Sequence, residues 1–187
     1  MNHMYMRENV VLERDVDVER VPDGMPLTLP AGTIAVVTQA LGSAFTLAAE
    51  GHLVRMKGED ADAIGRAPPV SVAMDIEDPS ELTREDFEQL VWKALATCYD
   101  PEIPVDIVQL GLIYECEVRE GENGQFDVHV LMTLTAPGCG MGEVISNEAR
   151  EKILALPRAG YVQVDLTFDP PWGRDRMSES ALLTLGL

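Results

Sequence analysis

Apolar and polar positions along the chain follow two rhythms, and the change between them divides the sequence near its middle. Up to about residue 60, apolar residues come in short runs interrupted by turn-forming residues. The runs at 10–12, 16–21, 27–29, 33–39, 45–47 and 52–56 are rich in β-formers. Between them stand Pro22-Asp23-Gly24, Pro30-Ala31-Gly32, Leu41-Gly42-Ser43 and Glu50-Gly51. Short strands closed by such turns predict a small antiparallel sheet or barrel, with a helical turn added at 61–64. No catalytic constellation falls in this half.

Ala67-Pro68-Pro69 then rules out a continuing helix, and Asp75-Ile76-Glu77-Asp78-Pro79 has the composition of an exposed connection. Two domains are expected, 1–75 and 76–187. In the second, Thr83 with Asp86 three residues on is a capping-box start. Phe87, Leu90, Val91, Ala94, Leu95 and Cys98 follow at helical spacing, and Asp100-Pro101 closes the run. Leu112, Tyr114, Cys116 and Val118 alternate with Ile113, Glu115, Glu117 and Arg119 as in a half-buried strand. Gly121-Glu122-Asn123-Gly124 makes a hairpin loop, and Phe126, Val128, Val130, Met132 and Leu134 form the apolar face of the return strand. Val144, Ile145, Ala149, Ile153 and Leu156 mark a second amphipathic helix stopped by Pro157. Val162, Val164, Leu166 and Phe168 mark a third strand, and 177–185 a short closing helix. The expected fold class is α+β: a small β-rich N-terminal domain, then a two-layer α/β sandwich of order α-β-β-α-β. Its helices would lie on one face of a small mixed sheet.

Composition narrows the partners. The 187 residues are 46% hydrophobic and 25% charged, ordinary for a globular chain able to bury a core. Thirty-two acidic residues against 14 basic ones give a net charge of −18. Nucleic acid and anionic lipid surfaces are disfavoured as partners by that charge. No apolar run approaches the roughly 18 residues of a membrane span, and the first ten residues lack the apolar core of an export signal. Cys98, Cys116 and Cys139 are an odd set without CxxC spacing, as expected of reduced thiols in a cytoplasm. No His-x3-His, His-Glu-x-x-His, Walker A or G-x-G-x-x-G pattern occurs, so zinc, ATP and dinucleotide chemistry lack their motifs.

Chemistry gathers at one loop. Cys139 sits between the end of a strand and the start of a helix, flanked by Gly138, Gly140 and Gly142. Free amides and the positive end of a helix dipole favour a thiolate there, and the glycines let backbone approach a bulky ligand. Only the thiolate is a good metal ligand or nucleophile. Thr135 is placed to hydrogen-bond this loop and Pro137 to stiffen it. Asp100 and Glu102 flank Pro101, with Asp106 beyond; Asp-Pro ordinarily shapes a turn, and carboxylates beside a thiolate also complete metal sites. Trp172 in its Pro-Pro-Trp turn is expected as a packed cap. Cys98 and Cys116, on apolar faces, are expected in the core.

Three ordered segments carry a family likeness: Asp100-Pro101-Glu102-Ile103-Pro104 with Leu110-Gly111-Leu112-Ile113, then Thr135-Ala136-Pro137-Gly138-Cys139, then Asp169-Pro170-Pro171-Trp172 running on to Met177-Ser178. Over about residues 81–187 they resemble the PaaD-like family of metal–sulfur cluster assembly domains. The preceding β-rich half resembles the SufT-type branch of that family. In many relatives a proline-containing sequence follows the loop cysteine, where this chain has Gly140-Met141-Gly142.

The resemblance implies an auxiliary, non-enzymatic role in iron–sulfur maturation, with Cys139 as the key position. The residues themselves place Thr135, Gly138 and Gly140 around the cargo and offer Asp100 and Glu102 as loop formers or further metal ligands. The resemblance also implies partners among the iron–sulfur assembly machinery and client apo-proteins. One available thiolate is too few for a cluster that usually has four protein ligands. Three arrangements stay open: a homodimer sharing two Cys139 residues, completion by oxygen or small-thiol ligands, or docking onto a client. Each makes the iron or iron–sulfur cluster transient. Two rivals are a purely structural adaptor and a thiol-dependent enzyme. The enzyme lacks a histidine in the recognised loops to serve as base.

Overall fold

The computed structural model describes residues 8–68, 78–100, 102–136 and 140–187. These residues fall into two compact units. The first takes the described residues of 8–68 with those of 99–104; the second takes those of 78–98 and 105–187. The boundary expected near residue 75 lies outside the described residues.

Six strands make the first unit: β1 (Glu8–Val11), β2 (Val16–Val21), β3 (Pro26–Leu29), β4 (Ile34–Leu41), β5 (Ala44–Ala49) and β6 (His52–Lys57). They form one antiparallel sheet of order β1-β4-β5-β6-β2-β3, with β1 and β3 at its edges. Three of the five pairings join strands adjacent in sequence, so the turns set the register. At the first of them Gly24 N–H donates to Arg20 O, and Arg20 N–H to Met25 O. One face buries Leu29, Leu47, Val54 and Met56 with no exposed surface. A 3-10 helix, Gly58–Ile64, adds Ala61, Ala63 and Ile64 to this core; it starts three residues before the expected turn.

The second unit runs α1 (Arg84–Leu95), β7 (Ile113–Glu120), β8 (Phe126–Met132), α2 (Gly142–Leu154), β9 (Ala159–Leu166) and α3 (Glu179–Leu185). The expected α-β-β-α-β order is observed, with α3 as the short closing helix. Thr83 and Asp86 form the capping box: Asp86 N–H donates to Thr83 Oγ1, and Thr83 N–H to Asp86 Oδ2. Sheet order is β7-β8-β9, antiparallel then parallel. A parallel neighbour demands a crossover, which α2 supplies. Phe87 of α1 stacks on Phe126 of β8 with ring centroids 4.8 Å apart. Gly142 of α2 abuts the side chains of Leu134 and Leu166. Both helices therefore cover the face that carries Phe126, Val128, Val130 and Met132, leaving the Asp127, His129 and Leu131 face partly open.

Four positions depart from the alternation. Helix α1 ends at Leu95, so Cys98 lies beyond it, still fully buried. Cys116 is half-buried because β7 is an edge strand, in which only Val118 is fully covered. Phe168 is 43% exposed. Strand β9 stops two residues earlier, and Thr167 Oγ1 turns the chain by accepting Asp169 N–H and donating to Asp169 O. Thr133, which alternation assigns to the polar face with His129, has no exposed surface. Pairing continues past the formal strand end there, since Thr133 N–H donates to Leu112 O and Thr167 N–H to Met132 O.

Candidate functional site

The segment carrying Asp100 and Glu102 is a short excursion from the second unit to the first. Ile107 N–H reaches back to Cys98 O at 2.9 Å, closing its base. Gln39 of β4 donates its side-chain amide to Asp100 O at 3.1 Å. Asp100 Oδ1 accepts both Glu102 N–H (2.8 Å) and Ile103 N–H (3.0 Å), the side-chain-to-backbone turn that Asp-Pro sequences favour. Burial pushes the Asp100 carboxyl above its ordinary range, while the two amides pull the other way. Glu102 is exposed.

Asp106 opens the next turn from a buried position. Its Oδ1 accepts Val108 N–H and Gln109 N–H at 3.0 and 2.9 Å, and its Oδ2 accepts the Gln109 side-chain amide at 2.7 Å. The turn ends in Leu110-Gly111-Leu112, both leucines fully buried and Gly111 at φ +69°. A Cβ on Gly111 would stand 2.2 Å from Arg176 O. Glycine is required twice there, by the backbone angle and by the neighbouring strand of chain.

That neighbour is the third motif segment. Trp172 Nε1–H donates to Leu110 O at 2.8 Å, so the tryptophan is the packed cap expected of it. Tyr114 O–H donates to Pro170 O at 2.8 Å, and the Arg176 guanidinium lies 4.0 Å from the centre of the Tyr114 ring. Ser178 N–H donates to Gln109 O at 2.8 Å, and the Ser178 hydroxyl caps α3 by accepting Ala181 N–H. Segments about sixty residues apart in sequence thus interlock. The strand end at Met132 and Thr133 joins both through its bonds with Thr167 and Leu112.

Cys139 and Gly138, with Pro137 beside them, lie outside the described residues, as does Pro101. Thr135 is half-buried and Gly140 exposed. Met141, read as part of the open loop, is instead buried. Helix α2 begins at Gly142 with no side-chain cap among the described residues, and the first-turn amides of a helix have no intrahelical partner. Asp100 and Glu102 belong to the first unit, Thr135 and Gly140 to the second. Among the described residues no group of three His, Cys, Asp or Glu side chains is arranged to hold a metal ion.

The two described thiols are poorly suited to ligation. Cys98 is fully buried with its Sγ 3.8 Å from Ala94 O. Burial, reinforced by the negative charge of Glu88, pushes Cys116 up to about 11. His129 donates or accepts across 2.9 Å to Asp165 on the partly open sheet face. The residues that sequence reasoning passed over are Asp106, named only as a neighbour of Glu102, and Thr133. Both are buried polar groups: Asp106 opens a turn, where periodicity carries no signal, and Thr133 continues the strand pairing past the end of β8. Among the described residues no helix is long and apolar enough to cross a membrane.

Residues 88–166 match the family described as iron–sulfur cluster assembly protein. A Porphyromonas gingivalis protein named Fe-S protein maturation auxiliary factor is 46% identical over 99 residues, which cover 53% of this chain and 90% of the relative. The Staphylococcus aureus Fe-S protein maturation auxiliary factor SufT is 38% identical over 88 residues, covering 47% and 96%. A solved Bacillus anthracis structure titled as a domain of unknown function, DUF59, shares 34% identity with a TM-score of 0.48, covering 56% of this chain and 95% of its own. Apart from residues 99–104, the family match lies within the second unit. The chain belongs to the iron–sulfur cluster assembly protein family and is of the SufT type.

Proposed function

We propose that the chain is an auxiliary factor in the maturation of iron–sulfur proteins, acting through the Cys139 thiolate and by docking rather than by catalysis of its own. The observation that carries this reading is the state of the other thiols. Cys98 is sealed in the core and Cys116 is held protonated, which leaves sulfur chemistry to Cys139. The family and the names of the relatives supply the cargo: iron or an iron–sulfur cluster, held transiently.

Cys139 cannot saturate a cluster by itself, so a second copy of the chain or a client apo-protein completes the ligand set. Thr135, Gly138 and Gly140 line the loop that receives the cargo. Asp100 and Glu102 are the oxygen donors of this proposal. Asp100 acts first as a loop former, since its Oδ1 already holds two amides. The working compartment is the cytoplasm, and the partners are assembly proteins and their clients.

Anaerobic reconstitution with ferrous iron and sulfide, on wild type and Cys139→Ser, tests this. The expected result is a loss of about tenfold or more in iron retained per chain, with an unchanged melting temperature, and reduced activity of iron–sulfur enzymes in cells carrying the variant. Equal iron uptake and full client activity in Cys139→Ser would establish the adaptor reading instead.

A further inference from the structure

The three-stranded sheet has two edges, and their sequences treat exposure differently. Strand β7 carries Glu115, Glu117, Arg119 and Glu120 and breaks its register with a bulge between Ile113 and Glu115. Charges and bulges are the usual guards of an edge against pairing with another strand. Strand β9 (Ala159–Leu166) is as long, yet Asp165 is its sole charge and it contains no proline. Its backbone also has bonding capacity to spare. Thr167 N–H donates to Met132 O of β8, and the register from Val128↔Val162 to Met132↔Leu166 is unbroken. Backbone groups alternate in direction along a strand, so those of Gln163 and Asp165 face β8 as well, while those of Val162, Val164 and Leu166 face outward. Arg150 of α2 donates its Nε–H to Val162 O at 3.2 Å. Among the described residues no strand lies beside this row.

We propose that β9 is a dimerisation edge, pairing antiparallel with β9 of a second copy of this chain about a two-fold axis at Val164. In that register the strand is its own complement. Val164 meets Val164 of the copy, and Val162 meets Leu166 of the copy, on the side where Val164 and Leu166 are only half-buried. On the open side Gln163 faces Asp165 of the copy twice, an amide donor opposite a carboxylate. An axis at Asp165 would instead set the two carboxylates against each other. Val162 O keeps Arg150, because a carbonyl has a second lone pair for Leu166 N–H of the copy. One continuous sheet then runs through both copies. The pairing uses none of the loop chemistry at Cys139, so either can fail alone.

The test measures mass by analytical ultracentrifugation from about 1 to about 100 μM, on wild type, Val164→Pro and Gln163→Asp as full chains. Wild type is expected to reach twice the chain mass, and to associate more tightly as salt screens the repulsion between two chains that each carry −18. Val164 N–H faces away from β8, so proline there removes no bond of the single chain and should hold it monomeric. Gln163→Asp alters only an exposed side chain, sets like charges opposite one another twice, and should weaken association about tenfold. In a Cys139→Ser background, Val164→Cys should form a disulfide between copies on mild oxidation, since residues of a bonded antiparallel pair stand about 5.5 Å apart at Cα. Gln163→Cys, offset from its copy along the strands, should not. A wild type that stays monomeric throughout would overturn the assignment and leave this edge to a strand of another protein. Dimers that survive Gln163→Asp unchanged, or that cross-link through Gln163→Cys and not Val164→Cys, pair by another surface or register and overturn it equally.

Discussion

The two units solve the same problem, burying apolar faces, with opposite use of sequence distance. In the six-stranded sheet, most pairings join consecutive strands through tight turns. Several polar side chains of that unit tie its rim together, as when Arg14 holds Asp60 and Asp62 at 2.8 and 2.7 Å. In the second unit the decisive contacts join Leu110 to Trp172, Gly111 to Arg176, Tyr114 to Pro170 and Leu112 to Thr133. Local pairing makes a scaffold; distant convergence locks together segments that lie far apart in the sequence. Apart from residues 99–104, the family match falls on the convergent unit.

Two glycines with one backbone angle test that contrast most severely. Gly65, at φ +68°, ends the 3-10 helix of the first unit, and a Cβ there would meet only Glu13 Oε1 at an ordinary 3.5 Å. Gly111, at φ +69°, faces the backbone of Arg176. Gly65→Ala should therefore carry only the left-handed penalty of about 1 kcal/mol. Gly111→Ala must in addition push the 172–178 segment away, and should cost about 3 kcal/mol or more in urea unfolding. Equal costs would mean that the interlock of the motifs is loose, and the contrast between the units would be lost.

The same contrast explains what was legible beforehand. Residues 16–21 were readable as β2 to the residue, because alternation and bounding turns are local signals. The capping box at Thr83 and the hairpin at Asn123, which sits at φ +56°, were equally local. Of the site, the three motif segments were visible only as a family pattern, and nothing in periodicity showed that Leu110 would meet Trp172. Thr133 was misplaced onto the polar face because alternation counts positions along one strand. Its backbone is paired with Leu112, twenty-one residues upstream, and that of its neighbour Met132 with Thr167.

Thiol reactivity sharpens the comparison at a second level, by about a hundredfold. Cys116 stands on the edge strand β7, where burial and Glu88 raise its thiol from 9.0 to about 11. At pH 7 only about one in ten thousand of these thiols is ionised, a hundredfold fewer than for an ordinary cysteine. Site-resolved mass spectrometry of iodoacetamide labelling should show Cys139 modified first, Cys116 slowly and with a rate still climbing near pH 11, and Cys98 not until the chain unfolds. The raised value also has a stability sign. The native thiol keeps its proton where the unfolded one loses it, so this contribution is complete below pH 9 and is lost as pH rises towards 11. Cys116 labelling as fast as Cys139 at pH 7 would remove the elimination on which the loop thiolate rests.

The smallest effect concerns Asp100, and its sign separates loop former from rim charge. Asp62, on the exposed rim, is held below the usual carboxylate range chiefly by the hydrogen bond from Arg14, so its stabilisation is present above the unfolded value and fades as pH falls. Asp100 is shifted the other way by burial. Its native form binds a proton that the unfolded chain has released, so stability declines as pH rises from about 3.9 through the raised native value. Asparagine keeps an Oδ1 for the amides of Glu102 and Ile103 without the charge. Asp100→Asn should thus leave the turn intact, raise the melting temperature slightly at pH 7, and flatten the decline in stability just above pH 4. A variant less stable at pH 7 than wild type would show that the ionised carboxylate, and not the oxygen geometry, holds the excursion at 99–104 together, and a cationic partner for it would then have to be sought.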